Sequence, residues 1–316
     1  MVVAPLTLTC LVLSTLFAAV LPIVLYRRLR VPFGLSARDT IAGIAVFALF
    51  ASVIERALNG YVLHQNATTA AWLSNPLAFV IYGALAAGVC EEVGRFIAMK
   101  LMWRRAVAAK AAAPDAPGRA ASEASLVTAA GAAATGSRPF VAARVAMRRK
   151  TVVPPSTGDS TALGYGIGHG GAEAWIVGVL VQIQWIVFAV VANRGELDSY
   201  LGNLPDDSLM RIHFVLASLS PLTAGIFLLE RVAALVFQIG LSVLMWRGVR
   251  AGWHAILPLA IVVHALVDLP AVLFQVGLLP LYAVDGLYAL LAVIVAVVLV
   301  KLFRHVARGT RAASPA

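Results

Sequence analysis

Two histidines in this chain each stand four residues before a carboxylate, inside stretches that are otherwise apolar. His169 precedes Glu173, and His264 precedes Asp268. Residues four apart share one face of an α-helix, and a carboxylate that accepts a hydrogen bond from an imidazole fixes which ring nitrogen carries the proton. The spacing therefore predicts two oriented histidines of the kind that serve in acid–base chemistry or bind a metal.

A third apolar stretch carries two adjacent glutamates, Glu91 and Glu92, with Arg95 one helical turn later. Arg95 can offset the charge of Glu91, so the helix need not bury an unpaired carboxylate. A fourth apolar stretch adds four polar groups, namely Glu230, Arg231, Gln238 and Ser242. Because ionisable groups inside a membrane cost roughly 2.5–3.5 kcal/mol each on insertion scales, every one of them needs a partner or a function.

The elements that must position these groups are membrane helices. The chain is 61% hydrophobic and 13% charged, whereas soluble domains contain about 25% charged residues. Its mean hydropathy is +0.89. A span needs about 20 apolar residues, and seven segments meet that length: 3–26, 40–62, 76–103, 161–193, 214–246, 253–276 and 279–303. The predicted fold is an all-α, polytopic bundle of about seven transmembrane helices.

Lysine and arginine are concentrated in alternate connections. By the positive-inside rule this predicts an outside N-terminus and an inside C-terminus. Residues 106–160, rich in Ala, Pro, Gly, Ser and basic side chains, are interpreted as a flexible basic cytoplasmic insertion in a single transmembrane domain spanning 1–316. The expected partner is the lipid bilayer. Nucleic acid is not expected as a partner, because the sequence has no aromatic-interleaved basic face that would bind it.

The polar residues of four predicted spans fall in one layer, in the cytoplasmic half of the bilayer, when the helices alternate in direction. Glycines at 164, 166, 168, 170 and 171 surround His169 and permit either a close helix approach or an irregular backbone. The pairs Glu55–Arg56 and Glu230–Arg231 are interpreted as structural ion pairs, and Asp285 as a structural residue.

Four motifs in order resemble the YhfC family of bacterial intramembrane metalloproteases, which is distantly similar to the CAAX prenyl protease and Abi group. They are Glu91-Glu92-Val93-Gly94-Arg95, the segment 166–174 around His169, Glu230-Arg231, and the segment 264–268. The resemblance implies a multi-pass protein of the bacterial plasma membrane. It further implies that Glu91 and Glu92 form the paired acidic motif, that His169 and His264 are the two motif histidines, and that Asp268 is the acid following the second.

One position departs from the family pattern. Where the family's Glu-Arg span usually has a histidine seven residues after the arginine, this chain has Gln238, ahead of Ser242. If that histidine were an obligatory metal ligand, this copy would be impaired or inactive. Glutamine can nevertheless hold a water molecule or a substrate carbonyl.

Hydrolysis of a peptide bond needs an activated water, a proton donor and an oxyanion stabiliser. We expect Glu91 with His169 to activate water and His264, oriented by Asp268, to polarise the carbonyl of a membrane-bound protein substrate. A zinc version would use His169, His264 and Glu91 as ligands, and a metal-free Glu/His version is equally open. A proton-coupled transporter and a catalytically inactive membrane scaffold are the alternatives.

Overall fold

The computed structural model describes residues 3–112 and 158–312, and within them it confirms an all-helical membrane architecture. Seven helices are long and apolar enough to cross a membrane. We label them α1 to α7: Pro5–Phe33, Ala37–Gln65, Pro76–Ala112, Asp159–Asn193, Pro221–Arg250, Ile256–Gln275 and Leu281–Ala312. The chain is therefore a multi-pass integral membrane protein.

Two of the long helices change their winding partway along. Helix α2 contains π-helical segments at Phe50–Glu55 and Tyr61–Gln65, and α4 contains one at Ala174–Val179. A π segment adds a residue to a turn and is frequently found at functional sites. The segments Phe50–Glu55 and Ala174–Val179 both adjoin the polar layer.

Short helices connect the spans at one end of the bundle: Ala67–Leu73, Leu197–Tyr200 and Asp206–Ser218. The predicted start of the fifth span at residue 214 is wrong, because that residue belongs to the separate helix Asp206–Ser218. Helix α5 begins instead at Pro221, where Ser220 and Thr223 form a reciprocal capping box. Proline at the first helical position and a serine cap together define that start.

Contacts between helix ends show that neighbouring spans alternate in direction. Asp159 at the start of α4 pairs with Arg247 at 2.7 Å and with Arg250 at 3.3 Å, both at the end of α5. At the other end of the bundle the Val3 amide donates to Asn193 Oδ1 at 2.6 Å. We call the end with Arg247 and Arg250 the basic end, and the end with Asn193 the opposite end.

The largest packed core lies toward the basic end. Its fully buried members come from α3, α4, α5 and α6, and they include Met99, Tyr165, Trp246 and Ile256. Burying large side chains of this kind stabilises the bundle through close packing rather than through exclusion from water, since lipid is as apolar as the core.

Glycines allow α2 and α4 to pack backbone against backbone. A methyl group on Gly43 would overlap the Tyr165 carbonyl, and one on Gly168 would overlap the Thr40 carbonyl. The glycine-rich segment around His169 is α-helical through Glu173. Of the two predicted uses of these glycines, the close approach of helices is therefore confirmed. The irregular backbone is found only after the glycines, in the π segment Ala174–Val179.

The predicted insertion 106–160 lies largely outside the described residues. Helix α3 continues through its first part to Ala112, and α4 begins at Asp159.

Candidate active site

A carboxylate–imidazole pair joins α3 to α4 at the centre of the bundle. Nε2 of His169 lies 3.0 Å from Oε2 of Glu91, and both side chains are buried. The His169 ring packs edge-on to Phe47, with centroids 5.2 Å apart, and stacks on Tyr165 at 5.8 Å. The two aromatic rings restrict the imidazole, so His169 is held in an orientation that faces Glu91.

A second pair joins α3 to α6. Nδ1 of His264 lies 2.8 Å from Oε1 of Glu92, which is completely buried. The other ring nitrogen, Nε2, lies 3.5 Å from Oδ2 of Asp268. His264 therefore has a carboxylate on each side, and its closer partner is Glu92 rather than the predicted Asp268.

Arg95 lies behind both glutamates and is completely buried. Its Nη1 is 3.0 Å from Oε1 of Glu92, and its Nη2 is 3.9 Å from Oε2 of Glu91. The guanidinium also donates a hydrogen bond to Oε1 of Gln238. The predicted compensation of Glu91 by Arg95 is present, but the nearer carboxylate is Glu92. One guanidinium thus lies against both carboxylates of the paired acidic motif.

Gln238 connects three helices through its side-chain amide. Its Nε2 donates to Oε2 of Glu91 at 3.0 Å and to Oε2 of Glu173 at 2.9 Å, while its Oε1 accepts from Arg95. Ser242 donates its hydroxyl to the Gln238 backbone carbonyl at 2.7 Å. With both ends of the amide engaged, the orientation of Gln238 is fixed by its neighbours.

Glu173 does not pair with His169, although the two lie on one helix face. It accepts from Gln238, and its Oε1 lies 3.9 Å from Nη1 of Arg231. The imidazole bonds instead to Glu91 on the neighbouring helix. Spacing along one helix permits a local pair but does not choose between a local partner and one on another helix, which is why this prediction failed.

The two carboxylate–imidazole pairs meet a cavity of about 430 Å³. Glu91, Gln238 and His264 line it, together with Glu173 and Asp268. His169, Glu92 and Arg95 lie behind this wall and hold the lining groups in place. The structure therefore brings together the catalytic residues predicted from the sequence and divides them into a lining layer and a supporting layer.

The cavity wall also includes the charged groups interpreted from sequence as structural ion pairs: Glu55, Arg56, Glu230 and Arg231. Within the described part of the chain, neither Glu55–Arg56 nor Glu230–Arg231 forms an ion pair within 4 Å. Adjacent residues of a helix point about 100° apart, so sequence neighbours do not readily pair. Glu55 instead accepts from Asn59 Nδ2 at 3.3 Å.

Sequence reasoning missed the wall of the cavity on α2. Ser52 and Glu55 line it from the π segment Phe50–Glu55. Hydropathy identifies α2 as a span but carries no signal for a change of winding, and one extra residue in a turn alters which side chains face inward. The signal in the sequence that could have identified this wall is the charged residue Glu55 inside an otherwise apolar span.

The site contains imidazole nitrogens and carboxylate oxygens, which are the donor groups that zinc accepts. Among residues 3–112 and 158–312, no group of three or more His, Cys, Asp or Glu side chains is placed to hold a metal ion. The positions of the two histidines are consistent with this, because Nε2 of His169 and Nδ1 of His264 lie 3.0 and 2.8 Å from two different glutamates. Nε2 of His169 faces Glu91, and the Gln238 amide, which presents N–H groups, lies between Glu91 and Glu173. The residues as arranged do not fit a three-ligand metal.

Comparison with known proteins gives two matches. The model of a family described as YhfC intramembrane metalloprotease matches residues 17–135 and 126–289. A protein of Bacillus subtilis (strain 168) named "Uncharacterized membrane protein YhfC" is 28% identical over 284 residues, which cover 89% of this chain and 91% of that protein. No solved structure gives a significant match.

Proposed function

Because the chain belongs to the YhfC intramembrane metalloprotease family, we propose that it hydrolyses a peptide bond of a membrane-embedded or membrane-proximal protein. The observation that carries this proposal is the position of Glu91 and His264. Both line one cavity, and each is bonded to a buried partner of the complementary type, His169 and Glu92 respectively.

Glu91 is the proposed general base. A base must lie within hydrogen-bond reach of the water that it activates, and the Glu91 carboxylate faces the cavity where such a water would meet the substrate. His169 is hydrogen-bonded behind it and can share the proton that Glu91 removes. The Gln238 amide, which also donates to Glu91, holds the carboxylate in the direction of the cavity.

His264 is the proposed electrophile and proton donor. With Nδ1 bonded to Glu92, its other nitrogen, Nε2, is directed toward Asp268 and the cavity side of the ring. A protonated Nε2 could donate a hydrogen bond to the oxyanion of the tetrahedral intermediate and then pass a proton to the leaving amine. Glu92 and Arg95 support this imidazole from the buried side.

The family's name implies a metal, and the sequence leaves open both a zinc site formed by His169, His264 and Glu91 and a metal-free Glu/His mechanism. Of these three residues, His169 and Glu91 lie 3.0 Å apart, whereas His264 bonds to Glu92. The catalytic steps are therefore assigned to the side chains alone. A direct measurement of bound metal, described in the Discussion, tests that assignment.

The proposal is tested with purified protein in proteoliposomes that also contain a library of membrane-spanning reporter peptides. We expect new peptide termini, detected by mass spectrometry, without uptake of solutes when a pH gradient is applied. Uptake without cleavage would favour a proton-coupled transporter. The absence of both cleavage and uptake would contradict the proposal and would favour an inactive scaffold.

A further inference from the structure

The cavity extends from the reaction centre in one direction. On α4 its lining continues from Glu173 to Val181, and on α5 from Gln238 back to Glu230. Each of these runs covers nine residues, and the eight steps between its ends correspond to about 12 Å at helical rise. Because α4 and α5 run in opposite directions, both runs extend toward the opposite end of the bundle.

The other helices agree with this direction. On α2 the lining continues past Phe47, which packs against His169, to Glu55 and Arg56. On α6 it continues past His264 to Asp268. Leu241, one turn beyond Gln238, is the lining residue on α5 that lies toward the basic end.

Packed side chains close the basic end. Arg95 is completely buried directly behind the glutamates, and beyond it come Met99, Tyr165 and Trp246, each with at most 1% exposure. Toward the opposite end the cavity wall includes three exposed residues: Arg56, Val177 (49% exposed) and Val181 (43% exposed). The reaction centre therefore lies at the end of the cavity nearest the closed basic end, and the cavity extends from it toward the opposite end.

The size and chemistry of the pocket limit what can enter it. A 20-residue helix about 10 Å across and 30 Å long has a volume of roughly 2,400 Å³, several times the 430 Å³ of the cavity. An intact transmembrane helix is therefore too large, whereas a short unwound segment fits. An unwound backbone needs hydrogen-bond partners inside a membrane, and the wall supplies them through Glu55, Glu230 and Arg231.

We propose that the cavity is a hydrated entrance by which a short, unwound polypeptide segment reaches Glu91 and His264 from the opposite end of the bundle. The polypeptide nature of the occupant rests on the proposed function, but the direction of access does not. If the basic end is cytoplasmic, as the positive-inside rule predicts, the substrate approaches from the non-cytoplasmic side.

Cysteine accessibility tests the direction. Ser52→Cys and Val177→Cys are made separately in a chain in which Cys10 and Cys90 are replaced by alanine. A charged, membrane-impermeant methanethiosulfonate is added to cells or to inverted vesicles. Ser74→Cys marks the opposite end and Ala251→Cys the basic end, because both positions are exposed in connections. Val298→Cys, 58% exposed on the outside of α7, is the lipid-facing control.

We expect both cavity cysteines to be modified from the side that modifies Ser74→Cys, at least tenfold faster than Val298→Cys. Modification from the side of Ala251→Cys, or at the rate of Val298→Cys, would overturn the entrance. The result does not depend on activity, because the same variants can be labelled in a Glu91→Gln background. If the cysteines are labelled as expected but the protein with native Glu91 cleaves no substrate, the proposed protease function is rejected and the proposed entrance is retained.

Protection from labelling tests the form of the occupant. Two synthetic membrane-spanning peptides are compared on Val177→Cys in the Glu91→Gln background, one uniformly helical and one with a Gly-Pro pair near its non-cytoplasmic end. We expect the Gly-Pro peptide to slow modification at least threefold and the helical peptide to leave it unchanged. Equal rates with both peptides would overturn the unwound-segment part of the proposal.

Discussion

Nε2 of His169 on α4 lies 3.0 Å from Oε2 of Glu91 on α3, and both side chains are buried. The pair thus links two helices at the point where the polar layer meets the cavity. A carboxylate in this position can take a proton from water and share it with the imidazole behind it, which is the basis of the proposed chemistry.

The first prediction concerns this pair as a unit. Glu91→Gln and His169→Asn should each lower kcat/KM by about 10²–10⁴-fold, the usual contribution of acid–base catalysis. Because both residues act on the same proton, kcat/KM of the double variant should be only slightly lower than that of the less active single variant. Reporter cleavage by the four proteins measures this, and losses that multiply would show that the two residues act independently.

Much of the architecture could be predicted from sequence because the bilayer restricts it strongly. Seven spans follow from the length of the apolar runs, and the convergence of Glu91, His169 and His264 follows from the cost of leaving polar groups in lipid. Partners between helices could not be predicted. Spacing places His169 and Glu173 on one face, but only the packing of α3 against α4 brings Glu91 nearer.

The second prediction concerns the buried guanidinium of Arg95. Arg95→Met should destabilise the protein by about 3–5 kcal/mol, because it leaves Glu92 buried without its compensating charge. Arg104→Met, at an exposed position on the same helix, is the matched control and should change stability little. Thermal unfolding in detergent compares the two, and equal midpoints would argue against a structural role for Arg95.

The third prediction concerns metal binding at Gln238. In the native chain its N–H groups face Glu91 and Glu173. Gln238→His would place an imidazole nitrogen beside two carboxylates, a donor set that zinc accepts. After dialysis against zinc and desalting, elemental analysis should find more zinc per chain in the variant than in the native protein. One zinc per native chain, unchanged in Gln238→His, would contradict the assignment of catalysis to side chains alone.

The fourth prediction concerns the close approach of α2 and α4. Gly168→Ala should destabilise the protein by about 1–3 kcal/mol, because the added methyl meets the Thr40 carbonyl. Gly225→Ala on α5, where a methyl meets nothing within 4 Å, is the control and should be neutral or stabilising by about 0.5–1 kcal/mol. Unfolding midpoints in one detergent check this, and a neutral Gly168→Ala would show that the helices can separate without cost.

The rate at which reporter peptide is cleaved by Glu91→Gln and His264→Asn, compared with native protein and with Glu196→Gln, tests the central claim most directly. Glu196 is exposed in a connection far from the cavity, so its variant controls for the loss of a carboxylate. The account predicts at least a 100-fold loss in each of the two site variants, with unchanged folded yield and a native rate for Glu196→Gln. Native rates in both site variants would contradict it.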